Sequence, residues 1–196
     1  MPTLSVVIPA YNEARYIGAL LERVRAVDLS SRGIGLEVIV VDDCSKDDTA
    51  AIAAAVPGVT LVRLPKNGGK GGAVRAGIAR ATGDFVIIQD ADLEYDPNDY
   101  VPMLDALLDQ GVDIVYGSRY LRAGGGGLLR SRRHEGQSWA AYLGGRSLSL
   151  ACWLCTGHYL TDTVTALKLF RREAIASIGL ETSGFELDHE ISAKML

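Results

Sequence analysis

The chain has 196 residues, 48% hydrophobic and 22% charged, with a net charge of -4, which fits one globular domain with a sizeable core and argues against both wholesale disorder and a general nucleic-acid binder. Three cysteines, Cys44, Cys152 and Cys155, are too few for a disulfide framework and fit a reducing compartment, so a cytoplasmic location is expected. No secretion signal is visible, and the apolar stretch around Leu148 to Cys155 falls far short of the roughly 20 residues a spanning helix needs.

Leu4–Ile8 is a short β-branched run that Pro9 is expected to stop, followed by the loop Pro9-Ala10-Tyr11-Asn12-Glu13. Ile17, Leu20, Leu21, Val24 and Val27 recur at helical spacing. Leu36–Val41 reads as a second strand ending in Asp42-Asp43-Cys44-Ser45, with Asp47, Asp48 and Thr49 opening a helix. Val59–Leu64 is a third strand. The loop Asn67-Gly68-Gly69-Lys70-Gly71-Gly72 leads into a helix to about Ala81, Asp84–Gln89 is a fourth strand, Asp99–Asp109 a helix and Val112–Tyr116 a fifth strand. Strands alternating with helices predict an α/β fold with a mostly parallel sheet covered on both faces.

The Gly-rich loop spells neither common phosphate motif. Val74 stands where a dinucleotide fingerprint needs its last glycine, and Gly71 follows Lys70 where a P-loop needs Ser or Thr. Lys70, at a helix start, remains a candidate phosphate contact beside the reading of a solvated turn lysine.

The sharpest signal is Asp90-Ala91-Asp92, at the end of the apolar run Phe85-Val86-Ile87-Ile88 and before Leu93-Glu94-Tyr95-Asp96-Pro97. Two carboxylates one residue apart where a strand breaks into a loop are able to reach one hard cation, and ligands in open parallel sheets collect at the carboxyl ends of strands. The competing reading is an acidic turn that caps the helix after Pro97.

Beyond Gly117 the chain turns basic: Arg119, Arg122, Arg130, Arg132, Arg133 and Arg146 surround the run Gly124–Gly127 with Glu135 as the one acid. On an acidic protein this cluster asks for an anionic partner, such as a phosphate or an anionic membrane surface, beside the reading of a solvated excursion. A helix with Trp139, Tyr142, Leu143, Leu148, Leu150, Trp153 and Leu154 follows, and in it Cys152, Trp153, Leu154 and Cys155 are expected to be core packing. Thr165–Phe170 reads as a strand. Gly184–Leu196 is a helical pattern without a stop signal and reads as cut off. His134, His158 and His189 read as ordinary polar residues.

Val6-Val7-Ile8-Pro9-Ala10-Tyr11-Asn12-Glu13, Val40-Val41-Asp42-Asp43-Cys44-Ser45, Asn67 to Gly71, Asp90-Ala91-Asp92-Leu93-Glu94 and Tyr116-Gly117-Ser118-Arg119, in this order, resemble the inverting family 2 glycosyltransferases, most of all the branch that makes dolichyl- or polyprenyl-phosphate sugars. The resemblance implies a GT-A fold in a single catalytic domain, with residues 1–118 as the nucleotide-sugar half and 119–196 as the acceptor half. It also implies a nucleotide-diphosphate-sugar donor of the UDP-glucose or GDP-mannose type, Mg2+ or Mn2+, a lipid-phosphate acceptor and a peripheral place at a membrane. By the same resemblance Pro9, Ala10, Tyr11, Glu13 and Asp42 hold base and ribose, and Asp90, Ala91 and Asp92 flank metal and sugar. Glu94 is a further metal-facing group, Arg119 lies near the phosphates, and Asp188 to Glu190 falls in the acceptor-side motif. Cys44 stands where the family usually has glycine, and family members continue past this end into a segment with an arginine near the reaction centre.

A departing diphosphate concentrates negative charge that a cation at Asp92, helped by Asp90, stabilises, and an oxygen donor set favours Mg2+ or Mn2+ over Zn2+. A hydroxyl acceptor needs a base, for which Asp188 or Glu190 is the candidate, whereas an ionised lipid phosphate needs only positioning. A helix-opening acidic turn is an equal reading of Glu186, Asp188 and Glu190. Two alternatives stand: a sugar-nucleotide-binding domain without turnover, and a nucleotidyltransferase, disfavoured because the loop after strand one has neither glycine nor a basic residue.

Overall fold

The computed structural model describes residues 1–118, 139–163 and 165–196. Arg119, Arg122, Arg130, Arg132 and Arg133 therefore lie outside the described residues, as do the side chains of Trp139, Tyr142 and Leu143.

The sheet has six strands in the order β3-β2-β1-β4-β6-β5: β1 Thr3–Ala10, β2 Gly35–Asp42, β3 Val59–Arg63, β4 Phe85–Ile88, β5 Ile114–Tyr116 and β6 Lys168–Arg171. β1 to β4 pair in parallel, and β6 runs antiparallel between β4 and β5. The helices are α1 Ile17–Arg25, α2 Thr49–Ala55, α3 Gly69–Arg80, α4 Tyr100–Gln110, α5 Trp139–Thr156, α6 Arg172–Ser177 and α7 Leu187–Met195.

Alternation along the strands sends apolar side chains to both faces of the sheet, which is why these strands read as continuous apolar runs. Leu4, Val6 and Ile8 of β1 pack with α1 and α4 on one face, while Val7, Ile39 and Val41 pack with α3 and α7 on the other. The expected mostly parallel α/β sheet with helices on both faces is thus what forms.

Three local expectations are corrected. Pro9 does not stop β1, which pairs with β2 as far as Ala10. The Val7 carbonyl accepts from the N–H of Gln89, the residue just after β4, so by alternation Pro9 faces the same edge, where β4 has already ended and a missing N–H breaks no ladder bond. The last strand begins at Lys168, not Thr165. Trp153, Leu154 and Cys155 are exposed rather than core, so α5 turns an apolar face with Leu148 and Leu150 away from the sheet. No helix among the described residues is long and apolar enough to cross a membrane.

β1, β2 and β3 are laid down in one direction, and β4 then returns to the far side of β1. The carboxyl ends of β1 and β4 therefore flank the point where strand order reverses, the usual place for a ligand crevice in an open α/β sheet.

Candidate active site

A cavity of about 430 Å³ opens at that point, lined by Pro9, Ala10, Tyr11 and Glu13 after β1, Asp43 after β2, Asn67, Gly69, Lys70 and Ala73 at the start of α3, Asp90, Ala91 and Asp92 after β4, and Phe185. Its size is that of a small-molecule site. Eight of the predicted site residues thus meet in one place: Pro9, Ala10, Tyr11, Glu13, Lys70, Asp90, Ala91 and Asp92.

Local structure fixes these groups. Asn12 and Cys44 both take left-handed backbone conformations, at φ 57° and 64°. Asn12 N–H donates to Ser45 Oγ at 3.0 Å and Asn12 Oδ1 accepts from Lys46 N–H at 2.8 Å, so the loops after β1 and β2 are stitched together. After β4, the buried Tyr100 hydroxyl donates to Gln89 Oε1 at 2.9 Å and Gln89 Nε2 donates to the Asp90 carbonyl at 3.1 Å. The backbone that carries the acidic pair is held from behind.

The helix-capping reading of the acidic pair is settled by Asp96, whose carboxylate accepts from Asn98 N–H at 3.1 Å beside Pro97. Asp90 instead pairs with Lys70, Nζ to Oδ1 2.8 Å. Lys70 also stands 3.6 Å from Asp188 Oδ2, and the fully buried Lys168 ammonium holds the other Asp188 oxygen at 2.5 Å while donating to the Thr165 carbonyl. The result is a chain of alternating charge, Asp90, Lys70, Asp188, Lys168, running from the cavity into the core. Burial pushes the Asp90 carboxyl up, against the pull of Lys70. Burial also opposes the charge on Lys70, but Asp90 and Asp188 outweigh it and raise its pKa. For the enclosed Lys168 burial prevails and lowers it.

The Gly-rich loop serves close approach. Gly69 sits at φ +73°, where a side chain would lie 2.4 Å from the Ser183 carbonyl, and one at Gly71 would lie 2.4 Å from that of Thr182. Gly71 N–H donates to Ser183 O at 2.7 Å. Only bare backbone lets the 181–184 segment lie this close, and that segment leads into α7 and sets Asp188 beside Lys70.

Other predicted residues lie elsewhere. Asp42 is fully buried behind the cavity wall, accepting from Ser45 N–H at 3.2 Å and standing 3.5 Å from Arg63; its neighbour Asp43 is the carboxylate in the lining, accepting from Gly68 N–H at 2.6 Å. Glu94 is exposed and outside the lining, its N–H donating to Asp92 Oδ1 at 3.1 Å. Glu190 accepts from Glu181 N–H, Thr182 N–H and the Thr182 hydroxyl at 2.8, 2.9 and 2.6 Å and pairs with Lys194 at 2.7 Å; a carboxylate so occupied braces the 181–184 segment. Glu186 takes the cap position of α7, and Asp188 and Glu190 lie in its first turn.

Sequence reasoning passed over Asn67, Phe185 and Lys168 as site residues. For Lys168 a signal was present: a lone cation inside the apolar run Leu167 to Phe170 needs a buried counter-charge.

The donor set fits a hard divalent cation. Asp90 and Asp92 present oxygen donors to the cavity, the ligand type a hard divalent cation takes when phosphate oxygens and water complete its shell. Burial, then Asp92, Asp47 and Asp90, push the Glu13 carboxyl up, marking an excess of negative charge that a cation would relieve.

The Glycosyl transferase family 2 model matches residues 5–179. Among curated relatives, a dolichol-phosphate mannosyltransferase of Pyrococcus furiosus is 30% identical over 97% of this chain and 52% of its own length. An undecaprenyl-phosphate 4-deoxy-4-formamido-L-arabinose transferase of Serratia proteamaculans is 34% identical over 89% and 51%. The chain thus spans about half the length of the curated relatives it matches. Among solved structures, glucosyl-3-phosphoglycerate synthase from Mycobacterium tuberculosis, in complex with Mn2+, UDP and glucosyl-3-phosphoglycerate, superposes with a TM-score of 0.68 at 25% identity, over 95% of this chain and 62% of that one.

Proposed function

The chain belongs to glycosyl transferase family 2, and from that premise we propose that it binds a nucleotide-diphosphate sugar, of the UDP-glucose or GDP-mannose type, and transfers the sugar with inversion to a polyprenyl phosphate. The observation that carries this reading is the cavity of about 430 Å³ at the β1/β4 switch point, where Asp90 pairs with Lys70 and Asp92 shares the lining.

In this reading the loops after β1 and β2 hold the nucleoside, with Tyr11 at the mouth and Asp43, rather than the enclosed Asp42, reaching base or ribose. Asp90 and Asp92 hold Mg2+ or Mn2+, with Glu94 at the rim. When bound, the cation supplies Lewis-acid stabilisation of the departing diphosphate. Lys70 adds a second positive charge against the phosphates, and Arg119 a third. Residues 1–118 form the donor half and 119–196 the acceptor half.

Asp188 is buried between Lys70 and Lys168. Both Asp188 oxygens already face ammonium groups, which leaves neither placed to take a proton from an acceptor hydroxyl and favours an acceptor that is already ionised, as a lipid phosphate is near neutral pH. Asp188 then orders the two lysines instead of acting as the base. The names of the relatives point to the same acceptor class. The outward apolar face of α5, with Leu148, Leu150, Trp153 and Leu154 exposed, is suited to a peripheral place at a membrane, and the arginine-rich segment supplies cations for a headgroup phosphate.

The test is incubation with radiolabelled UDP-glucose or GDP-mannose, Mn2+ and undecaprenyl phosphate in detergent, followed by extraction into organic solvent. Label in the lipid phase supports the proposal. Label moved only to a soluble hydroxyl acceptor contradicts it.

A further inference from the structure

The following rests on the reading of the cavity as a metal-dependent diphosphate site and goes one step into its working. We infer that Lys70 occupies the place of the divalent cation at Asp90 while the donor is absent, and changes partners when cation and diphosphate arrive together. The cation is then admitted with the nucleotide and not ahead of it.

The geometry supplies each element of this exchange. Lys70 Nζ is 2.8 Å from Asp90 Oδ1, and both side chains are largely enclosed, 11% and 24% exposed. A divalent cation at the same carboxylate would meet an ammonium at close range in a poorly solvated setting, where like charges repel strongly. With Asp90 taken, the lining keeps Asp92 and Glu13, and Mg2+ or Mn2+ is weakly held by one or two carboxylates when no phosphate oxygens complete the shell. Free cation is therefore opposed at Asp90 and under-coordinated at the rest.

Lys70 has a route out of the way. Asp188 Oδ2 lies 3.6 Å from its Nζ, and the Phe185 ring face, 78% exposed, lies 5.5 Å away. Its four-carbon stem and freely rotating donors suit a change of partner. A diphosphate in the cavity offers the ammonium a stronger anion and offers the cation its missing oxygens, so one event satisfies both.

Lys168 is the contrasting case. It is fully buried, holds Asp188 at 2.5 Å and the Thr165 carbonyl, and faces the Tyr116 ring at 5.7 Å. It keeps Asp188 in place as a fixed pivot, so that Lys70 swings while the rest of the chain of charges stands still.

The experiment is a Mn2+ titration followed by electron paramagnetic resonance, with Mn2+ alone and with Mn2+ plus saturating UDP or GDP, on the wild type, Lys70→Gln and Lys70→Arg. The wild type is expected to bind Mn2+ at least about tenfold more tightly with the nucleotide than without, and Lys70→Gln to bind free Mn2+ at least about tenfold more tightly than the wild type, as loss of a unit charge beside the carboxylate requires. Lys70→Arg keeps the charge and should keep free Mn2+ out. If Lys70→Gln gains nothing for free Mn2+, or if the wild type binds free Mn2+ as tightly as it does with nucleotide, the exchange is overturned while the donor site stands. If the wild type binds neither nucleotide with Mn2+, the donor-site reading falls and the exchange with it.

Discussion

Lys168 Nζ and Asp188 Oδ1 meet at 2.5 Å in a buried ion pair that joins β6 to α7. Lys168 is fully enclosed and Asp188 nearly so, and the pair stands on geometry: the Thr165 carbonyl accepts a second hydrogen bond from the lysine, and Lys70 faces the second carboxylate oxygen. Cutting one partner leaves a buried charge uncompensated. Lys168→Met is therefore expected to cost about 3 kcal/mol of stability, at the low end of the usual range because Lys70 still faces Asp188. Urea unfolding of that variant checks the figure, and the double variant Lys168→Met/Asp188→Leu should recover much of the loss.

Asp92 faces the cavity without being locked to a lysine among the described residues. Asp92→Asn should leave the melting temperature within a few degrees of the wild type and weaken Mn2+-dependent diphosphate binding by at least about tenfold, which corresponds to about 1.4 kcal/mol. Calorimetry in Mn2+ reads the affinity. Undiminished affinity would move the cation elsewhere.

Asp42 and Asp43 are adjacent in sequence and opposite in role. Asp43 lines the cavity, whereas Asp42 is enclosed with Ser45 and Arg63. Asp43→Ala is expected to weaken UDP or GDP binding more than Asp42→Asn does, and Asp42→Asn, which keeps the acceptor for Ser45 and loses only the charge facing Arg63, to lower stability by at most about 1 kcal/mol. Paired thermal melts and nucleotide titrations separate the two, and the reverse ranking would restore the base-reading role to Asp42.

Glu190 has its carboxyl held down at about 2 from an ordinary 4.5; burial opposes the shift, and bonds from Lys194, Thr182 and Glu181 outweigh it. With the folded pKa below the unfolded one, this stability is fully present above 4.5 and is lost as pH falls through that value toward 2. Glu190→Gln should therefore be less stable than the wild type at pH 7, and the gap between their melting temperatures should close below pH 4. A gap independent of pH would show that the carboxylate's charge is immaterial.

Cys44 at φ 64° bears a conformation that glycine adopts without strain. Cys44→Gly is expected to leave the fold unchanged and to be neutral or stabilising by up to about 1 kcal/mol, the relief of a left-handed residue set against added freedom in the unfolded chain. Urea unfolding measures it, and a loss of more than 1 kcal/mol would point to a packing role for the thiol.

The strands and most helices were legible because each buries a periodic apolar face: β4 is enclosed on both sides, and Ile17, Leu20, Leu21 and Val24 of α1 fall on one stripe. The acidic pair was legible for the same reason, since it stands where an apolar strand ends. Pro9 misled because whether a missing N–H matters depends on the neighbouring strand's length, which no local pattern carries. The glycines at 69 and 71 are explained by contact with Thr182 and Ser183, more than a hundred residues away in sequence. The ion chain from Asp90 to Lys168 likewise joins α3, β4, β6 and α7, which only the sheet order brings together.

A nucleoside diphosphate is proposed to bind at the carboxyl ends of β1 and β4 with a divalent cation held by Asp90 and Asp92. Isothermal titration of UDP and of GDP into the protein, once with Mn2+ and once with a chelator, measures this binding. One of the two nucleotides is expected to bind in Mn2+ and to lose at least about tenfold in affinity under chelation. Equal affinity under both conditions, or no binding of either nucleotide in Mn2+, would contradict the proposal.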